Sequence, residues 1–459
     1  MMILKTFASA LIGAVVFATV AISGGRDAHA GACTTSGGGV YSCTGAVGAD
    51  STQNLGNTSS STTITTTAPF GINTASGNAF TLDGKNGIDF EDSNLSSIIG
   101  ANRGISATNL QDGANSALGI TTTGTVTGTT DDGIFATTSN SGNGRTNINI
   151  SAANVSGGTN GINALNTTDG SVTVTASGTV TGTNADGIRA VGDGNFGNGK
   201  VTVSAASVSG GANGIWAENK DGGGLDDDLQ VTATGDVTGA GGRGIYANNT
   251  AQESKVTISA ENVTGQTDGI WAKTNGDSLN ITAGTVTGTT GGGVRAETVS
   301  GNNTATISTA GVSGGTFGIR AIATDDLTVR ATDGVSGGSS TGIFAQIKSA
   351  GSVATKNLTV TATDVSGGST GILAENQGRK GNTIITAAGN VTGAGGAGIS
   401  ADTRSFSHGL TISAGDVSGQ TDGIKAVAVG RQSGTGGNGD MTITAGSVAA
   451  SRRAASRAT

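Results

Sequence analysis

Twelve times the chain writes Val-(Thr/Ser)-Gly and then, seven or eight residues after that valine, the Ile or Val of Gly-(Ile/Val)-x-Ala. The first copy runs from Val126-Thr127-Gly128 to Gly133-Ile134-Phe135-Ala136, and the last from Val417-Ser418-Gly419 to Gly423-Ile424-Lys425-Ala426. Successive Ile/Val sites are 24 to 30 residues apart. A unit this short cannot bury its own apolar face and must stack on its neighbours, so the repeat predicts a solenoid. Function then belongs to surfaces shared by several rungs.

Each rung carries three short strand patterns. Val201-Thr202-Val203-Ser204-Ala205 alternates apolar and polar residues, Val208-Ser209 follows a two-residue break, and Gly214-Ile215-Trp216-Ala217 comes next. The alternation puts Val, Ile and Ala inside and the residues between them outside. The expected fold is all-β: a right-handed parallel β-helix with three strands per rung of about 25 residues, rungs about 4.8 Å apart, and twelve rungs spanning about 55–60 Å. Glycine at the corners is expected to supply positive φ. From valine to Ile/Val the steps alternate strictly, eight then seven, so the repeating unit is a pair of rungs. Disorder is the competing reading, because 83 of the 459 residues are Gly. Strict periodicity and a single proline, Pro69, argue against it.

The expected organisation has four parts. Residues 1–30 read as a secretory signal peptide, with Lys5, an apolar Phe7–Ile22 and a small-x-small site at Ala28-His29-Ala30. Residues 31–118 read as an N-terminal cap and irregular first rungs, in which Gly71-Ile72, Gly87-Ile88, Gly104-Ile105 and Gly119-Ile120 suggest a narrower coil. Residues 119–449 are the regular β-helix. Residues 450–459 form an aberrant basic tail in which the repeat stops in mid-rung, as in a truncated product. The two cysteines, Cys33 and Cys43, are expected to form a disulfide clip in an exported chain, with two free thiols as the alternative. No stretch of the mature chain reads as a membrane-spanning helix. The net charge of −8 argues against nucleic acid as a partner.

No catalytic residues, metal ligands or cofactor are assigned. The mature chain has one histidine, His408, with no orienting partner apparent. Polysaccharide cleavage needs carboxylates gathered on adjacent rungs. The column two residues before each Ile/Val never places Asp on two neighbouring rungs: it begins Asp132, Asn160, Asp186, Asn213, Arg243, Asp268. These residues read as turn formers whose side chains bond the backbone two residues on. Asp226-Asp227-Asp228 and Gly436-Gly437-Asn438-Gly439-Asp440 are weak calcium patterns.

One column stands out as a binding candidate. The outward residue of Gly-(Ile/Val)-x-Ala reads Trp216, Tyr246, Trp271, Arg295, Arg320 and Phe344 over six consecutive rungs. Exposed aromatics in a row suit sugar faces or protein partners, with ring centres about 4.5–7 Å apart; the alternative is a stabilising ladder. The variable loops Glu218–Leu229 and Val427–Asp440 fall at one corner and are a second place for binding.

The signal peptide, the Cys33…Cys43 pair, the Val-Thr-Gly…Asp-Gly-Ile rungs and the Gly/Thr/Asn-rich composition together resemble the passenger domain of Gram-negative type V autotransporters of α-proteobacterial type. The likeness covers nearly all of residues 31–449. It implies an adhesin-like structural or interaction rod at the cell surface or outside the cell, or in the periplasm if the chain ends before a membrane barrel. The implied partner is a glycan or protein of a host or neighbouring cell, or a second copy. A β-helical polysaccharide lyase or hydrolase is the alternative.

Overall fold

The computed structural model describes residues 31–451 apart from 49, 58, 112–115, 141–143, 195–198, 221–226, 300–302, 349–354, 379, 405–408 and 430–439. The signal-peptide and tail assignments, His408, Asp226 and most of the Gly436–Asp440 pattern therefore lie outside the described residues. Among the described residues every regular element is a strand. Among these residues no helix is long and apolar enough to cross a membrane.

The chain winds as a β-solenoid. Third strands of successive rungs form a 15-stranded sheet, and first and second strands share a 25-stranded one. Pairing is parallel and residue for residue: Ile215 opposes Ile188 on one side and Ile245 on the other. At about 4.8 Å per rung, fifteen rungs span about 70 Å. In several rungs the first two strands fuse into one bent strand, as in Val201–Gly210, because the two-residue break stays extended; elsewhere they separate, as in Leu229–Ala233 and Val237–Gly239.

The core is the stack of inward columns. Eleven of the twelve repeat Ile/Val side chains are fully buried, and Ile424 is partly buried. Each buried Val or Ile contributes about 1.5–3 kcal/mol of transfer free energy. Met441, Ile443 and Val448 occupy inward positions by register but remain 44 %, 44 % and 55 % exposed, since no described rung covers them. The alternation of seven and eight residues is absorbed in the turn between second and third strands. Val155 still opposes Val180, and Ile162 still opposes Ile188.

Two sequence expectations are corrected. The early rungs are full turns: Phe80 opposes Ile105 and Ile105 opposes Ile134 in the third-strand sheet. Ile72, Ile88 and Ile120 belong to the other sheet, so the short 15–17-residue spacing mixed strands of different position. The glycines before the twelve repeat Ile/Val are also not in the left-handed region, since positive φ among the described residues is confined to seven other glycines, Gly87 of the early rungs among them, and two further residues. Close packing requires them. A Cβ on Gly244 would sit 2.4 Å from Val263 Cγ1 and 2.7 Å from the Gly269 carbonyl oxygen, and the same contacts recur down the column.

At the start, Ala32–Gly37 and Val40–Gly45 form an antiparallel hairpin, and the second strand joins the stack in parallel. Cys33 and Cys43 face each other across it and form the expected disulfide. Their Cα atoms are 3.9 Å apart, closer than usual for a bridge, because the residues are directly paired.

Candidate functional site

The outward position of the third strand lies between two inward ones, so pleating alone aims it at solvent. Trp216, Tyr246, Trp271, Arg295, Arg320 and Phe344 are paired in register over six consecutive rungs, and all are half-buried. The structure therefore brings the whole expected column together.

The rings stack on one another. Trp216 and Tyr246 have centroids 4.0 Å apart and planes at 27°; Tyr246 and Trp271 are 4.7 Å apart at 6°. The first distance is shorter than expected. Both faces of Tyr246 are covered by indoles, so a sugar cannot stack on it, and the triplet ties three rungs together while presenting ring edges outward. Arg243, from the preceding turn, lies 5.2 Å from the Tyr246 centroid and 5.3 Å from that of Trp271. Its Nε is 3.4 Å from Asp268 Oδ2. Burial, with Glu218 nearby, raises the Tyr246 hydroxyl above its usual pKa.

Beyond the rings come two cations. Arg295 directly opposes Arg320, and Arg320 Cζ lies 5.7 Å from the Phe344 centroid. Burial and the Arg295 charge lower the Arg320 pKa from its usual value. Arg295 Nε and Arg320 Nη1 are buried and have no hydrogen-bond partner among the described residues. The acids of the adjacent outward column are already engaged. Glu297 pairs with Lys348 at 3.1 Å, and Glu218 accepts from Asn248 at 3.1 Å and lies 3.6 Å from Lys220 Nζ. The half-buried pair thus places positive charge on this face, of the kind that suits carboxylate oxygens.

The turn column has a structural task other than the expected local turn bond. Asp132 Oδ1 accepts from the backbone N–H of Asn160 in the next rung, Asn160 Oδ1 from that of Asp186, Asp186 Oδ1 from that of Asn213, and Asn213 Oδ1 from that of Arg243. Asp268 Oδ1 accepts from the Gly292 N–H at 2.8 Å. Burial raises the Asp186 carboxyl pKa, against the lowering effect of Asn213 and Arg189. In the acidic loop, Asp227 is buried and its carbonyl accepts from Asn219 and Asn249, while Asp228 Oδ1 accepts from the Lys255 N–H. Among the described residues no group of three or more His, Cys, Asp or Glu is arranged to hold a metal ion.

Sequence reasoning missed a second polar column, four residues after the repeat Ile/Val. Thr138, Asn166, Asn219, Asn249, Thr274, Thr298, Asn376 and Thr403 are all buried there. Asn166 Nδ2 donates to the carbonyls of Thr146 and Gly170, both at 2.7 Å. Comparison with protein-family models, with curated proteins and with solved structures finds no match to the chain.

Proposed function

We propose that the chain is an adhesin-like interaction rod of the autotransporter-passenger kind, which meets an acidic partner surface through its third-strand face. The supporting observation is the opposed pair of half-buried cations Arg295 and Arg320, with no salt bridge among the described residues, beside a rigid aromatic stack. Stacking fixes the side chains before contact, which lowers the ordering cost of binding. Carboxylates of an acidic glycan fit these donors best. The turn carboxylates that polysaccharide cleavage would draw on, Asp132, Asp186 and Asp268, hold backbone N–H groups of neighbouring rungs instead.

The test is binding of the purified chain to immobilised polygalacturonate and hyaluronate at rising salt. Arg295→Gln/Arg320→Gln is expected to weaken binding several-fold, at about 0.2–1 kcal/mol per exposed charge pair, and to flatten its salt dependence. The far-UV circular dichroism should not change. Binding equal to that of the parent chain would refute the assignment of this face.

A further inference from the structure

A third polar column runs along the bend between first and second strands, at the residue just before each second-strand valine. Thr179 N donates to Asn154 Oδ1, Asn262 Nδ2 to Asp236 Oδ1, and Thr285 Oγ1 to Asn262 Oδ1. Further along, Asn390 N donates to Asp364 Oδ1 at 2.7 Å. Between Thr285 and Asp364 two consecutive rungs carry Gly311 and Gly334 instead.

Neither glycine is needed by the backbone. Their φ values lie outside the left-handed region, and an added Cβ would approach nothing closer than 3.8 Å at Gly311 and 4.0 Å at Gly334. Their effect is a gap in the ladder. It forms part of a groove of 530 Å³ that runs lengthwise over five rungs, from Thr285 and Thr287 to Asn390 and Thr392. The outward hydroxyls of Ser313 and Ser336 line it and have no hydrogen-bond partner among the described residues. Asp364 stands at one end of the gap and keeps Oδ2 without a partner there.

We propose that this groove binds an extended, neutral, β-linked oligosaccharide lying along the rod axis. The rungs, about 4.8 Å apart, each present an outward Thr or Ser hydroxyl to the groove, so an extended chain lying lengthwise meets hydroxyls along its whole length. Sugar hydroxyls donate to Asp364 and exchange hydrogen bonds with Ser313 and Ser336, while C–H faces cover the outward Thr carbons of the groove. The lining contains one carboxylate and no basic side chain, so it suits hydroxyl donors and repels acidic glycans. The site lies on a different sheet from the Arg295–Arg320 face and does not depend on that assignment.

The test uses hexasaccharides of the cello-, xylo-, manno- and chito- series, with calorimetry and saturation-transfer NMR on the full chain. Gly311→Asn/Gly334→Asn restores the side chain that other rungs carry in this column, as at Asn262 and Asn390, and so fills the gap within the ladder's own pattern. Parent protein is expected to bind at least one hexasaccharide. The filled variant is expected to bind it tenfold or more weakly, with Arg295→Gln/Arg320→Gln unaffected. Ser313→Ala/Ser336→Ala, which leaves the backbone alone, is expected to weaken binding as well and decides the matter if the filled variant misfolds. No binding to any of the four series, or undiminished binding in a folded variant of either kind, would overturn the proposal.

Discussion

Gly244→Ala separates two reasons for a repeated glycine. If the position needed a left-handed φ, alanine would be strained and asparagine, which tolerates that region, would be milder. The structure gives the other reason. The new Cβ would lie 2.4 Å from Val263 Cγ1 and 2.7 Å from the Gly269 carbonyl oxygen, and the second contact is backbone that cannot rotate away. Overpacking of this kind costs about 1–3 kcal/mol. Gly334→Ala is the control: its Cβ meets open space, and loss of unfolded-state freedom should stabilise it by about 0.4–1 kcal/mol. The two variants should therefore differ by about 1.4–4 kcal/mol. Because a stack of rungs can open locally, amide hydrogen exchange is the suitable assay. Ile245 N–H donates to the Gly269 carbonyl at 2.9 Å and reports on the damaged interface. Its exchange should accelerate about five- to 150-fold in Gly244→Ala, since about 1.4 kcal/mol is a factor of ten. Gly244→Asn should be worse still. Parent-like exchange in Gly244→Ala, or a milder effect of Asn than of Ala, would refute the packing argument.

Two other changes probe the polar columns. Asp186 has its carboxyl pKa raised mainly by burial, so its contribution to stability is present below the ordinary carboxylate pKa and lost as pH rises through the folded value. Asp186→Asn keeps the acceptor for the Asn213 N–H without the buried charge. Its denaturation midpoint should exceed the parent's at pH 7 and match it near pH 3; an equal gain at both pH values would contradict this. Asn166→Ala removes the side-chain donor of the buried Gly170 carbonyl and leaves the Thr146 carbonyl with the longer bond from Thr168 Oγ1, at about 1–3 kcal/mol in all. A loss below about 0.5 kcal/mol in chemical denaturation would show that those carbonyls find other partners.

Period and alternation made the fold legible. Inward residues such as Ile215 and Val203 announce themselves by recurring, and the register of Trp216, Tyr246 and Trp271 followed from counting. Ring orientation did not follow, because alternation says which side a residue leaves from and nothing about the angle of its plane. The glycine before Ile215 was misread for a related reason: sequence shows that a side chain is forbidden, while φ and close approach forbid it alike. The groove at Gly311 and Gly334 was invisible for the opposite reason. Among so many glycines, two that leave space look like the many that have none. The buried Asn and Thr column was present in the sequence at a fixed offset, as Asn166, Asn219 and Thr274, but polar residues near loops do not signal burial.

The antiparallel hairpin at Ala32–Gly37 has a consequence for assembly. A parallel β-stack is a one-dimensional crystal whose end rung is a template for another of the same polarity. Reversing the chain once places a strand of opposite polarity outermost among the described residues, and the Cys33–Cys43 bond locks that reversal in covalently. A parallel rung from another molecule arriving there meets hydrogen-bonding groups in antiparallel phase. At the first-strand sheet the hairpin thus opposes in-register parallel addition, and it makes the two ends of the described stack chemically unlike.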